Sequence, residues 1–244
     1  MCFPYSGAGA SVYFSWGREF ARDGIELWNV QYPGRESRIA EPPIVTFARM
    51  IQTLVDAFGA MPADLPLAFF GHSLGTVIAH ALACELSRLG KPAPVHLFLS
   101  GRNAPHHLRE LDRMHELDDA ALIEAVARFG NLPESVRNEP ELMELLVPIL
   151  RADFALLHDY HQTRPPPEET PILSCPISVF GGEDDPWTSP CGLAEWQRYT
   201  TRGFVLRTYP GHHFFLNQSP DSIRSAIRED LCASARPRER RDAI

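Results

Sequence analysis

A single α/β domain, with a mostly parallel central sheet and helices on both faces, is the fold class this sequence predicts. Three observations predict it. Short apolar runs at 67–70, 95–99 and 177–180 read as strands buried on both faces. Segments with helical spacing alternate with those runs. The third is the junction Phe69-Phe70-Gly71-His72-Ser73-Leu74-Gly75, where an apolar strand enters a Gly-x-Ser-x-Gly turn and leaves it as a run of helix formers reaching about Leu89. At 244 residues, the chain has room for one large domain carrying an insertion.

The elements follow in order. Ser6 to Ser11 is a run of small residues that lets the backbone pass close to a ligand. Val12 to Ala21 has helical spacing, with Phe14, Trp16 and Phe20 as the buried candidates. Ile25 to Tyr32 reads as a strand and runs into the polar loop Pro33-Gly34-Arg35-Glu36-Ser37-Arg38. In that loop Arg35 and Arg38 are free to meet a phosphate or acidic partner, or to pair with Glu36 or Glu41. Thr46, after two prolines, is the N-cap of a helix reaching Phe58. The Ser73 junction comes next, then the strand Val95 to Gly101.

From 102 to about 170 the rhythm breaks, and only helical patterns are found. Asp118 caps one helix. Leu142, Leu145, Leu146, Ile149 and Leu150 form a single apolar face on another, with Pro148 predicting a kink or break. This insertion is expected to lie over the carboxyl ends of the strands as a lid, and 165–167, three prolines, form a stiff return. Residues 1–101 and 171–244 make up the core. The sheet resumes at 176–181, runs into Gly182-Glu183-Asp184-Asp185-Pro186-Trp187, and ends with Phe204 to Tyr209 before Pro210-Gly211-His212-His213-Phe214-Phe215-Leu216. A helix from Asp221 to Leu231 closes the chain.

Composition narrows the function. A hydrophobic content of 44% and a charged content of 22% suit a soluble globular protein. The net charge of −8 argues against a nucleic-acid partner. No apolar run approaches a membrane span, and the start lacks the basic and apolar regions of a signal peptide, so a cytoplasmic protein is expected. The 5 cysteines are scattered and form no metal-ligand spacing. Cys84 is expected in the core, and Cys191 exposed. Arg236, Arg238, Arg240 and Arg241 read as a solvated tail. No extra interface element stands out, so a monomer is expected.

The chemistry rests on order. A serine hydroxyl is a poor nucleophile without a base within hydrogen-bond reach, and the base needs an acceptor to orient it. Ser73, the acids of 183–185 and the histidines of 212–213 each follow a strand, in the order nucleophile, acid, base. The Gly-x-x-Asp spacing from Gly182 selects Asp185, and counting from Gly181 leaves Asp184 as the alternative. Gly211-x-His-Phe selects His213, and His212 is the alternative. The backbone amides of Ser6 and Leu74 are the candidate oxyanion donors. His72 is expected to pack near the turn and point away from the hydroxyl.

These segments carry a resemblance. Phe3-Pro4-Tyr5-Ser6-Gly7-Ala8-Gly9, Gln31-Tyr32-Pro33-Gly34-Arg35-Glu36-Ser37-Arg38, Phe70 to Gly75, Pro148-Ile149-Leu150-Arg151-Ala152-Asp153 and Gly211 to Leu216 resemble the type II thioesterases of polyketide and nonribosomal peptide assembly lines, within the α/β-hydrolase family. The chain departs from that pattern where Ser6-Gly7-Ala8 stands for the usual Ala-Gly-Gly, and it starts almost at this loop, so that either the start is trimmed or the preceding strand is reduced to Cys2-Phe3. The resemblance implies hydrolysis of stalled or aberrant acyl groups from the phosphopantetheine arm of an acyl or peptidyl carrier protein. It implies no metal and no bound organic cofactor, because the phosphopantetheine arrives with the substrate. Other readings of the same residues are a carboxylester hydrolase, a chain-releasing thioesterase and an inactive hydrolase fold used for binding.

Overall fold

The computed structural model describes all residues except 60, 62–64, 108–112, 131 and 236–244. The arginine cluster from Arg236 to Arg241 therefore lies outside the described residues.

Five parallel strands make one sheet: β1 (Cys2–Phe3), β2 (Ala68–His72), β3 (His96–Ser100), β4 (Ile177–Gly182) and β5 (Phe204–Tyr209), ordered β1-β2-β3-β4-β5. Around it run α1 (Phe14–Ala21), α2 (Phe47–Gly59), α3 (Leu74–Arg88), α4 (Asp119–Ala127), α5 (Glu134–Arg137), α6 (Pro140–Thr163), α7 (Pro190–Ala194), α8 (Phe215–Gln218) and α9 (Pro220–Ala235).

The apolar strand runs are uninterrupted because side chains alternate between two buried faces. Phe69, Leu97, Leu99, Ile177 and Val179 pack into one core with α2, α3 and α6. Phe70, Phe98 and Phe180 point the other way, into a second core with Trp16 and Phe20 of α1 and Ile223 and Ile227 of α9. Cys84 is buried and Cys191 exposed, and all five cysteines are free. Among the described residues, no helix is long and apolar enough to cross a membrane.

Four local expectations are corrected, the first being Phe14, a buried candidate that stands 63% exposed. Ile25 to Tyr32 forms no strand; it meets the sheet only at the bridge between Asn29 and Cys2. At that bridge Cys2 N–H donates to Trp28 O and Cys2 O accepts from Val30 N–H. Of the kink or break expected at Pro148, the break does not occur, since α6 runs unbroken for 24 residues. The apolar face of α6 is also rotated from the expected one. Met143, Val147, Leu150, Phe154 and Leu157 face inward, whereas Leu142 and Leu145 stand 47% and 57% exposed.

One cap agrees with its sequence signal. Asp118 accepts from the Ala121 N–H at the start of α4. Thr46 precedes α2, its carbonyl accepting from Met50 N–H, while Asp159 of α6 takes the first amide of the helix, Phe47, at 2.6 Å.

Candidate active site

Strand register brings the site together. His72 pairs with Ser100, so β2 and β3 end side by side. Gly182 pairs with Tyr209, so the loops after β4 and β5 leave the sheet as neighbours, joined by Glu183 N–H to Tyr209 O and Asp184 N–H to Gly211 O. All four strand ends open on one edge, the carboxyl edge where ligands meet parallel sheets.

Ser73 occupies the turn between β2 and α3 with φ 54° and ψ −111°, a left-handed conformation that non-glycine residues rarely adopt. Its amide donates to Ser100 O at 2.9 Å, and the Thr76 hydroxyl lies 2.8 Å from the carbonyl oxygens of both Gly71 and Ser100, sharing its one hydrogen between them. The turn also needs bare backbone beside it, since a Cβ at Gly75 would run into the Phe3 carbonyl. The serine is thus held in its strained conformation by bonds from two strands and a helix.

Asp185 and His213 meet beside it. His213 Nδ1 lies 2.9 Å from Asp185 Oδ2, both side chains are almost fully buried, and Asp185 Oδ1 accepts from the Trp187 N–H at 2.9 Å. The alternative pair behaves differently. His212 is exposed and reaches only the backbone carbonyl of Asp184, at 3.0 Å. His213 Nε2 is buried with no hydrogen-bond partner, and Ser73 and His213 line the same cavity. The structure therefore joins the acid to the histidine and places the serine beside them, leaving the Ser73 to His213 bond unformed.

Aromatic rings wall the histidine. Phe129 lies 5.4 Å, Phe214 5.2 Å and His72 5.0 Å from the His213 ring, centroid to centroid. His72 is fully buried with Nδ1 2.9 Å from Ser100 Oγ, and burial, then the neighbouring His213 charge, holds it well below the ordinary histidine range. It packs under the turn as a neutral ring.

The loop after β1 faces Ser73 from the other side. Gly7 takes φ +81°, so the left-handed step falls on a glycine; Ala8 needs none of that freedom. A buried pair fixes this loop. Arg35 Nη1 and Nη2 bind Asp153 Oδ2 and Oδ1, each at 2.7 Å, with side-chain exposures of 3% and 1%. Asp153 also accepts the Gly7 N–H at 2.7 Å, and Arg35 donates to Ala8 O at 3.1 Å. Sequence reasoning marked both segments but not the pairing, which spans 118 residues; an acid set among the apolar residues of α6 was the available signal. Arg38 takes the duller of its two expected roles and pairs with Glu41.

The cavity itself holds about 240 Å³. Val126, Phe129, Leu132, Val136, Leu146, Leu150, Phe154 and Leu157 supply its apolar wall, with Tyr5, Ser6 and Phe214 near Ser73 and His213. Among the described residues, Arg102, which sequence reasoning passed over, is the one arginine or lysine on this wall. Among the described residues, His106, His107 and Glu195 bring one ligand atom each within 4.8 Å of one another, but none of the three lines this cavity and Glu195 is shared with Arg198.

A parallel sheet whose carboxyl edge carries a strained serine turn, with an Asp–His pair on the neighbouring loops, makes the chain an α/β-hydrolase. The chain belongs to the thioesterase domain family, whose profile matches residues 1–231, and so to the hydrolases of thioesters. It is 36% identical over 219 residues to the gramicidin S biosynthesis protein GrsT of Aneurinibacillus migulanus, covering 90% of this chain and 83% of the relative. Among solved structures it resembles the RedJ thioesterase from the prodiginine pathway of Streptomyces coelicolor, with TM-score 0.84 and 35% identity over 94% of this chain and 88% of that one. It also resembles the type II thioesterase BorB from the borrelidin biosynthetic cluster, with TM-score 0.81 and 31% identity over 94% of this chain and 91% of that one.

Proposed function

We propose that this protein is a type II thioesterase of a polyketide or nonribosomal peptide synthase. It hydrolyses stalled or aberrant acyl groups from the phosphopantetheine arm of a carrier protein, and works as a single chain in the cytoplasm. The observation that carries the mechanism is the 2.9 Å contact of His213 Nδ1 with Asp185 Oδ2, which leaves Nε2 unpartnered on the wall it shares with Ser73.

In this reading Asp185 fixes the tautomer, keeping the proton on Nδ1 so that Nε2 accepts. Ser73 Oγ attacks the thioester carbonyl carbon while His213 Nε2 takes its proton. The carbonyl oxygen becomes an oxyanion held by the backbone N–H groups of Ser6 and Leu74. Collapse breaks the carbon–sulfur bond, and the imidazolium returns its proton to the departing thiolate. Water, deprotonated by the same nitrogen, then attacks the acyl-serine, and the acid and free Ser73 are released. No step calls for a metal or an organic cofactor of the protein's own.

The helices between β3 and β4, residues 102–170, serve as the lid and enclose the acyl group. Support comes from the cavity wall, half of whose lining residues belong to α4, α6 and the segment between them. The test is acyl release from short-chain acyl carrier proteins by the parent and by Ser73→Ala, with matched oxyesters run beside the thioesters. Release by the parent alone, faster on thioesters, supports the reading. Equal release by the Ser73→Ala variant contradicts it.

A further inference from the structure

Among the described residues, two that are not glycine hold a left-handed φ. One is the nucleophile Ser73, at 54°, and the other is Glu36, at 46°. Backbone strain of this kind persists only where the surrounding structure enforces it. Glu36 is exposed, so the bonds it makes are exchanged against water and return little stability. The proposed reaction makes no use of its carboxylate.

The strained step aims that carboxylate. Arg35, the residue before it, is extended, with φ −148° and ψ 158°. Successive side chains of an extended segment point to opposite sides. The left-handed turn at Glu36 brings both neighbours onto one loop, residues 6–12, whose Ser6, Gly7, Ala8 and Val12 line the cavity. Arg35 donates to Ala8 O, and Glu36 grips the far end. Ser11 Oγ donates to Glu36 Oε1 at 2.5 Å, and the Ser11 amide lies 3.4 and 3.3 Å from Oε1 and Oε2. Gln31 stands between them: its Oε1 accepts the Ala10 N–H at 3.0 Å, and its Nε2 donates to Arg35 O at 3.1 Å.

Gly9 is an independent sign. Its φ of −115° and ψ of −167° are open to any residue. What calls for a glycine there is space, since a Cβ would stand 2.3 Å from Glu36 Cδ and 2.4 Å from Oε1. The carboxylate occupies the place of the missing side chain.

We propose that Glu36 is a positioning residue for thioester hydrolysis: it holds the loop after β1 at Ser11, and so sets the Ser6 amide at the acyl carbonyl oxygen and Val12 at the acyl wall. The proposal rests on the thioesterase reading above, in which the Ser6 amide meets the oxyanion. The left-handed φ of Glu36 is the strain kept for that purpose.

The experiment measures kcat and KM on a hexanoyl pantetheine thioester. Beside it runs the affinity for an alkyl trifluoromethyl ketone, to whose carbonyl carbon Ser73 adds, leaving an oxyanion in the same place. Glu36→Gly removes the carboxylate and keeps the course of the chain, because glycine adopts a positive φ freely. Gly9→Ala leaves the carboxylate intact and expels it from the loop, a cheap displacement because the atoms that must move end a flexible side chain. Each variant should lower kcat roughly tenfold, with KM within about twofold of the parent, and weaken the ketone by the same factor. The double variant should be no worse than either single one, because both remove the same grip. Glu36→Gln keeps an acceptor oxygen and should retain at least about half of the parent rate. Melting points within roughly 4 °C of the parent report an intact fold. If one single variant does not fold, the other carries the test through kcat and the ketone. Parent-level kcat in a folded Glu36→Gly would overturn the proposal while upholding thioester hydrolysis. So would a loss confined to KM, or losses that multiply in the double variant. A parent that neither hydrolyses the thioester nor binds the ketone would overturn the thioesterase reading and this proposal together.

Discussion

Arg35 and Asp153 form a bidentate ion pair, nearly sealed from solvent, and between them they hold both sides of the peptide chain at Gly7 and Ala8. The pair ties the loop after β1 to α6, an element from the far side of β3. Its geometry satisfies two carboxylate oxygens and two guanidinium nitrogens and spends a further bond from each partner on the loop.

Breaking half of this pair leaves a buried charge alone. Asp153→Ala should cost about 3–5 kcal/mol of stability, read as a shift in the urea midpoint. A double change, Arg35→Met with Asp153→Leu, should recover much of that loss, because an apolar pair of similar volume needs no desolvation. It should not recover turnover. With Gly7 and Ala8 released, the Ser6 amide loses its position, and kcat should stay roughly tenfold to a hundredfold below the parent with a smaller change in KM. Full turnover in the folded double variant would show that the loop needs no anchor.

The turn at Ser73 stores strain that a glycine relieves. Its φ of 54° is awkward for any residue with a Cβ. Ser73→Gly and Ser73→Ala should both abolish acyl release. They should differ in stability, the glycine variant melting higher by an amount equivalent to about 1 kcal/mol. Equal melting points would mean that the turn carries no such strain.

Acyl length should respond to the inner wall of α6 and not to its outer one. Leu150→Ala or Phe154→Ala enlarges the cavity and should move the preference toward longer acyl groups, at a cost of about 2–5 kcal/mol in stability. Leu145→Ala, on the solvent side at 57% exposure, should leave chain-length preference as it is. A profile of kcat/KM against acyl length for the three variants reads this directly.

Two buried histidines set an acid limit. Burial pushes His80 down to about 4, and His96 is pushed to about 4 by burial despite the nearby Asp230 charge. The unfolded chain takes up these protons near the ordinary 6.5, the folded chain only near 4. Their contribution is therefore whole above about 6.5 and is lost as pH falls toward 4. Stability measured by urea unfolding should decline across that window. His80→Phe removes one titrating group and should reduce the slope by up to about 1.4 kcal/mol per pH unit.

Much of the fold was legible because it depends on short-range signals. Apolar runs marked β2, β3 and β4, and the elbow was visible as a change of period from strand to helix around Gly71 and Gly75. The choice of Asp185 and His213 came from spacing to nearby glycines, and the strand register between Gly182 and Tyr209 is what brings those two side chains into contact. Other features depend on distant partners. Ile25 to Tyr32 has the composition of a strand, but it meets the sheet only at the bridge between Asn29 and Cys2. Leu142 and Leu145 match a helical face as well as Met143 and Val147 do, and only the position of the sheet chooses between them. Arg35 and Arg102 are ordinary arginines in sequence. Burial against Asp153 makes Arg35 a clamp, and among the described residues no carboxylate pairs with Arg102.

The central claim is that Ser73 carries the acyl group between thioester and water. The most direct measurement is mass spectrometry of the protein quenched in acid during turnover of an acyl carrier protein thioester. The account predicts an added acyl mass on the peptide bearing Ser73, accumulating in His213→Ala if that variant acylates at all, and absent in Ser73→Ala along with hydrolysis. Hydrolysis that persists in Ser73→Ala, or an adduct confined to another residue, would contradict it.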